Sequence, residues 1–225
     1  MGSIEEDRIA KMEQGLSAFC HFANDIQGRD CIVMGSAPNP DLGENPFDCQ
    51  VICCNGAALT LQEHFGRSPN FTFLHSHVPF RQDNPADKDV MDALEKVKHL
   101  GRMVVLYHYK HKYDRQIFAD KRDDFCELNW KYRFEIFRRL TGCSLPFLDV
   151  STGATTVAAC ILAGARSIRL AGFSFAQKGH SYNNKNLHRA HISSDAALYC
   201  LLHASGYEIS ATDPSVAMVL MGKRA

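Results

Sequence analysis

Two hydrophobic periods alternate along the chain. Six short apolar runs stop at small, polar or turn-forming residues: CIVM before Gly35-Ser36-Ala37-Pro38-Asn39, VICC before Asn55-Gly56, FTFL before His75-Ser76-His77, then MVVLYHY, SIRLAGFSF and YEISATD. Runs of this length bounded by turn residues predict strands. Between most of them the spacing lengthens to three and four residues, in ALTLQEHF, VMDALEKVKHL, FCELNWKYRFEIFRRL and TTVAACILAGA. That spacing predicts helices. Ahead of the first strand, Ile9, Met12, Leu16, Phe19 and Ala23 share one helical face. Strands apolar on both faces, alternating with helices, predict an α/β sheet that is mainly parallel and covered on each side. The expectation is a single Rossmann-like domain of about six or seven strands over residues 29–225. A helix within 1–28 packs against it, and a small lid lies at about 176–191. No internal repeat or linker divides the chain.

Composition narrows the classes. The 225 residues are 45% hydrophobic and 10% aromatic, which excludes a disordered chain. Basic and acidic residues number 25 each, for a net charge of zero. That balance argues against a nucleic-acid partner held by summed positive charge. No apolar run approaches the ~20 residues of a transmembrane helix, and MGSIEEDRIAKMEQ has no apolar signal-peptide core. Nine cysteines include no C-x-x-C pair. They read as reduced, mostly buried thiols, with no metal site expected. The expected location is cytoplasmic.

In a parallel α/β sheet, ligands bind beyond the carboxyl ends of the strands. The residues there are therefore the candidates. Gly35, Ser36 and Ala37 are small enough for backbone N–H groups to approach a phosphate, or they form an ordinary turn; G-x-G-x-x-G and a Walker lysine are both absent. Asn55 is a turn residue or a polar ligand contact. His75 ends the third strand as an anion or metal contact, or as a solvated strand end. Ser151, Thr152 and Gly153 stand at the mouth of an apolar helix, where they cap it or receive a phosphate or carboxylate. The polar stretch AQKGHSYNNKNLHRAHISSD, with His180, Tyr182, His188, Arg189 and His191, has the length of a lid or binding segment. It has no apolar anchors that would hold it still. A histidine there suits general-base work near neutral pH.

Taken in order, these pieces resemble the bacterial sialyltransferases of glycosyltransferase family 42, which use CMP-activated sialic acid. The family's Gly-Asn-Gly-Pro-Ser loop is met by Gly35-Ser36-Ala37-Pro38-Asn39, and its Cys-Asn strand end by Cys54-Asn55. Its Thr-Ser-Gly loop, apolar helix and Gly-containing strand are met by Ser151-Thr152-Gly153 and Gly164 to Gln177. A following tyrosine is met by Tyr182, and a histidine before a Ser-x-x-x-Asp helix by His191 to Asp195.

The resemblance implies an inverting transfer of sialic acid, or a related keto-acid sugar, to a glycan hydroxyl. It implies His191 as general base and Tyr182 as a phosphate-binding hydroxyl. Gly35, Ser36, Ala37, Asn55, His75, Ser151, Thr152, Gly153 and Ser174 would line the nucleotide and donor site. No cofactor or metal is required, the donor being the CMP-activated sugar. The partners would be that nucleotide sugar and a glycan acceptor of lipooligosaccharide type. The resemblance also allows a homo-oligomer and a peripheral position at the inner membrane. Ser36, Ala176 and Ser174 stand where the family carries Asn, Tyr and Asp. Two alternatives stay open: an enzyme like the archaeal-type pterin pyrophosphokinases, and a nucleotide-binding protein of the same fold without turnover.

Overall fold

The computed structural model describes residues 19–222 apart from 45–47, 82, 108–115, 130–136, 138, 141, 143–149, 184 and 186–190. Within it, seven strands form one sheet in the order β5-β4-β3-β2-β1-β6-β7, every neighbouring pair parallel. The strands are β1 (Asp30–Met34), β2 (Gln50–Cys54), β3 (Phe71–His75), β4 (Arg102–Tyr107), β5 (Asp124–Asn129), β6 (Ser167–Ala171) and β7 (Ile209–Ala211). The helices are α1 (19–26), α2 (Ala57–Phe65), α3 (Pro85–Lys96), α4 (Thr152–Leu162), α5 (Ile192–Ala204) and α6 (Pro214–Leu220).

The period of two sorts the strand residues to opposite faces. Val33, Ile52, Cys54, Phe73 and Val104 pack with α1, α4, α5 and α6 on one side. Ile32, Met34, Val51, Cys53, Leu74 and Val105 pack with α2 and α3 on the other. Local chemistry starts and stops the helices. Asn84 caps α3 by accepting from the N–H groups of Ala86 and Asp87, with Pro85 at its first position. Asp213 does the same ahead of Pro214 in α6. Gly66 closes α2 in the left-handed conformation, φ 61°. Helix α4 has no polar face: Gly153 to Ile161 are all buried, and it packs across β1, β2, β3 and β6.

One element differs from expectation. Residues 125–129, read as the start of a long helix, belong to the edge strand β5, in register with β4 from Arg102↔Asp124 to Tyr107↔Asn129. Cys126 and Leu128 are buried while Phe125 and Glu127 are half-buried. An edge strand needs only this alternation, and the pairing with β4 overrides the helical spacing that Phe125 and Leu128 share with residues further on. Of the segment 1–28 expected to hold a helix, residues 19–28 are described, and 19–26 of them are helical. There Phe22 and Ile26 are fully buried. The cysteines described are all free, and most are buried.

Candidate functional site

Strand order reverses direction between β1 and β6. β2 to β5 extend from one side of β1, and β6 and β7 from the other. A crevice at the carboxyl ends of the strands is expected at such a switch point. Neighbouring strands lie about 4.8 Å apart, so the ends of β3, β2, β1 and β6 span roughly 14 Å, the reach of one nucleotide. Gly35, Asn55, His75 and Gly172 follow or end these strands. The sheet therefore brings the predicted strand-end residues to one edge, and α4 adds Ser151, Thr152 and Gly153.

The β1 and β6 loops cross in contact. A Cβ on Gly35 would lie 2.6 Å from the Gly172 carbonyl oxygen, and a Cβ on Gly172 would lie 2.5 Å from that of Gly35. Only glycine fits at both positions, and Gly172 also holds φ 64°. The N–H of Gly35 donates to Ala171 O at 2.8 Å, and that of Ala37 to Gly172 O at 2.6 Å. These N–H groups fasten β1 to β6, so they are not the phosphate donors suggested by the small residues. Ser36 turns its hydroxyl and carbonyl to the polar segment after β6 instead.

Both groups on Ser36 meet the polar segment after β6. Ser36 Oγ lies 2.7 Å from His180 Nδ1, and its carbonyl accepts from Ser181 N–H at 2.8 Å. Ser181 Oγ in turn lies 2.6 Å from Thr60 Oγ1 of α2, itself buried. The His180 and Tyr182 rings stack at 5.2 Å and 12°. Tyr182 also lies on Gly56, where a Cβ would sit 2.6 Å from its ring. Asn183 Nδ2 and Lys185 Nζ both reach the Asp89 carboxylate of α3, at 3.0 and 2.7 Å. The described part of this segment is thus anchored to the loop after β1 and to α2 and α3 by polar bonds and one aromatic ring, contrary to the expectation that it lacks anchors. His188 and Arg189 lie outside the described residues.

Asn55 holds φ 52°, rare for a residue with a side chain. Its N–H donates to Phe73 O, and its Oδ1 is buried with no hydrogen-bond partner. A buried amide oxygen without a donor costs about 1–3 kcal/mol. His75 Nδ1 lies 3.3 Å from His77 N–H, and the two imidazoles lie 4.0 Å apart. His77 Nε2 in turn lies 3.4 Å from Asp87, which Arg81 also faces at 3.3 Å.

Ser151 caps α4, its Oγ accepting from Ala154 N–H at 3.1 Å. Its own N–H donates to Asp195 Oδ1 at 2.8 Å. Asp195 is buried in the first turn of α5, so a carboxylate of the chain already sits at the positive end of α4. Gly153 lets the Phe173 ring close over that turn; a Cβ there would be 2.4 Å from it. Ser174 Oγ accepts from the N–H groups of Ala176 and Gln177 at 3.2 and 3.0 Å, folding the start of the polar segment. His191 is the half-buried N-cap residue of α5 and makes no side-chain cap bond.

Burial pushes the thiols beside the cleft up: Cys53 well above its ordinary range, and Cys54 to about 12, even though Thr156 Oγ1 lies 3.5 Å from its sulfur. They are inert packing groups. Among the described residues no three His, Cys, Asp or Glu side chains are grouped to hold a metal ion, and no helix is long and apolar enough to cross a membrane. Sequence reasoning assigned no role to Ser181, Thr60 or Phe173, and named His180 only among the histidines suited to general-base work. Their importance comes from contacts across the fold, and only the run of polar residues after β6 marked the region.

No protein-family model matches the sequence, and no curated protein sequence matches it. Solved structures do match in shape. The monofunctional α-2,3-sialyltransferase Cst-I of Campylobacter jejuni superposes with a TM-score of 0.53 at 13% identity, covering 82% of this chain and 75% of its own. The Campylobacter jejuni sialyltransferase CstII, solved with cytidine-5'-monophosphate, gives 0.52 at 16% identity over 88% and 85%. A further CstII structure, holding a trisaccharide acceptor and CMP, gives 0.51 at 14% identity over 81% and 80%. The chain thus shares the fold of these sialyltransferases.

Proposed function

We propose that the protein is a glycosyltransferase of the sialyltransferase type, taking a CMP-activated sugar as donor and a glycan hydroxyl as acceptor. One observation carries the reading: the buried, unpartnered Oδ1 of Asn55, held in a strained turn at the carboxyl end of β2. Strain and an orphaned acceptor at one residue beside a switch-point cleft are costs that a bound ligand offsets. A cytidine nucleotide offers amino and hydroxyl donors to such an oxygen. The shared fold with sialyltransferases solved with CMP, and with CMP and a trisaccharide acceptor, supports the same reading.

On this reading the donor is sialic acid or a related keto-acid sugar. The acceptor oxygen attacks the anomeric carbon from the face opposite the phosphate, and configuration inverts. The carbon–phosphate-oxygen bond breaks with its electron pair going to CMP. His191, at the mouth of α5, takes the acceptor proton, and the Tyr182 hydroxyl stabilises the departing phosphate. Gly35 lets the β1 and β6 loops cross, and Gly153 admits the Phe173 ring. Ser36 and Ser174 hold the segment that carries Tyr182, and His75, Ser151 and Thr152 are the polar lining.

A CMP titration tests it. Hundredfold excess over the dissociation constant stabilises the fold by about 2.7 kcal/mol, and release of CMP from CMP-sialic acid in the presence of a glycan acceptor follows. Absence of any thermal shift with CMP, CDP or CMP-sialic acid defeats the proposal. CMP binding without turnover of any CMP-sugar favours a binding protein of the same fold.

A further inference from the structure

We infer that Ser36 and His180 are positioning residues for Tyr182, fixing its ring over Gly56 from the end of the neighbouring strand β1. The inference rests on the proposed function for what Tyr182 does, but not for how it is held.

Five contacts converge. Ser36 and His180 are 144 residues apart in sequence, yet Oγ and Nδ1 lie at 2.7 Å. The neighbouring Ser36 carbonyl and Ser181 N–H make a second bond at 2.8 Å, so both polar groups of Ser36 are spent on this one segment. The imidazole so held lies parallel to the Tyr182 ring, 5.2 Å away at 12°. Tyr182 also lies against the bare backbone of Gly56, where even a methyl group would overlap the ring. The Ser181–Thr60 pair at 2.6 Å clamps the residue between His180 and Tyr182 to α2.

A tyrosine on a polar segment loses side-chain freedom when it binds, and a ring already fixed loses less. Ser36 and His180 supply that fixation without touching the ligand. They belong to the same device: Ser36 acts through the imidazole, and the imidazole acts through the stack. His180→Asn keeps an acceptor near the place of Nδ1 but removes the stacking face. His180→Phe keeps the face but removes the bond to Ser36. Each is expected to lose the effect of the pair.

The test has two arms. In the first, ligand-free protein carries 3-fluorotyrosine, and Tyr182 is assigned in the fluorine NMR spectrum by its loss in Tyr182→Phe. The wild-type signal should be displaced from the position of unstructured tyrosine by the neighbouring imidazole. Ser36→Ala should return it most of the way, as should His180→Phe, which serves if Ser36→Ala does not fold. A Tyr182 signal unmoved in the folded variant overturns the inference. In the second arm, calorimetry measures CMP affinity in a double-mutant cycle. Ser36→Ala should weaken binding roughly fivefold, and far less once Tyr182→Phe is present. Full additivity overturns the inference, since Ser36 would then act on the ligand directly. If CMP binds no variant, the proposed function fails, and the fluorine arm still decides whether Ser36 fixes Tyr182.

Discussion

Asn55→Gly should make the folded chain more stable and its nucleotide site worse. The asparagine holds φ 52°, and its Oδ1 is buried without a partner. Left-handed backbone costs an L-residue about 1 kcal/mol at the lower end of its range, and an unsatisfied buried oxygen about 1–3 kcal/mol. Glycine removes both. Against this stands its greater backbone entropy in the unfolded chain, about 0.5–1 kcal/mol. The balance is a gain of about 1–3.5 kcal/mol. For a chain of this size that raises the melting temperature by about 2–14 °C. Affinity for CMP should fall roughly three- to tenfold, the worth of one hydrogen bond. Thermal melts by circular dichroism, with calorimetric titration of CMP, read both quantities on one preparation. Asn55→Ala separates the causes, because it removes the amide but keeps the strained backbone; it should weaken CMP equally and stabilise less. A lower melting temperature for Asn55→Gly with CMP affinity unchanged would refute the reasoning, since the amide would then be an internal structural group.

Three further outcomes are expected. Gly35→Ala should destabilise by at least about 1–3 kcal/mol in urea unfolding, because its Cβ would meet backbone at 2.6 Å, which cannot swing aside as a side chain does. Wild-type stability there would mean that the β1 and β6 loops are looser than this crossing. Asp30 is held at about 2 by Arg166 and Ser167. Its lowered value gives stability that is present above the unfolded value of about 3.9 and lost as pH falls toward 2. Both partners are substantially exposed, so Asp30→Asn should cost under about 1 kcal/mol at neutral pH, and less in high salt. Under native conditions iodoacetamide should label the exposed Cys20 well before Cys53, Cys54 and Cys160, whose thiols burial holds far above neutral; mass spectrometry of peptides checks the order.

Much of this architecture could be read from periodicity alone, because a parallel sheet covered on both faces needs apolar strands and helices between them. That same rule located Gly35, Asn55, His75 and Ser151 before any contact was known, since each follows or ends such a run or opens a helix. Residues 124–129 escaped it because an edge strand buries one face only, and two residues three apart satisfy a helix equally well. The partners of those strand-end groups were not legible. Small residues after β1 suggested free N–H donors, whereas Gly35 and Ala37 spend theirs on β6. Ser151 at a helix mouth suggested an anion site, yet Asp195 reaches its N–H from another helix, 44 residues on. His180 looked like one polar residue among many until the fold set it against Ser36. Local pattern predicts elements; pairings across more than a hundred residues depend on how those elements stack.

The switch point also has a consequence for how the chain is made. β1 to β5 pair in the order of synthesis, but Asp30 of β1 and Ser167 of β6 are 137 residues apart. At about 5–20 residues per second, a ribosome leaves β1 waiting for β6 for roughly 7–27 s. Throughout that interval Ile32, Val33 and Met34 form an open strand edge, apolar on both faces, which a second nascent chain can pair with. Yield in a cell should therefore depend on translation rate and on chaperones that shield this edge, and a chain released before Ala171 would carry five strands of the sheet and no cleft.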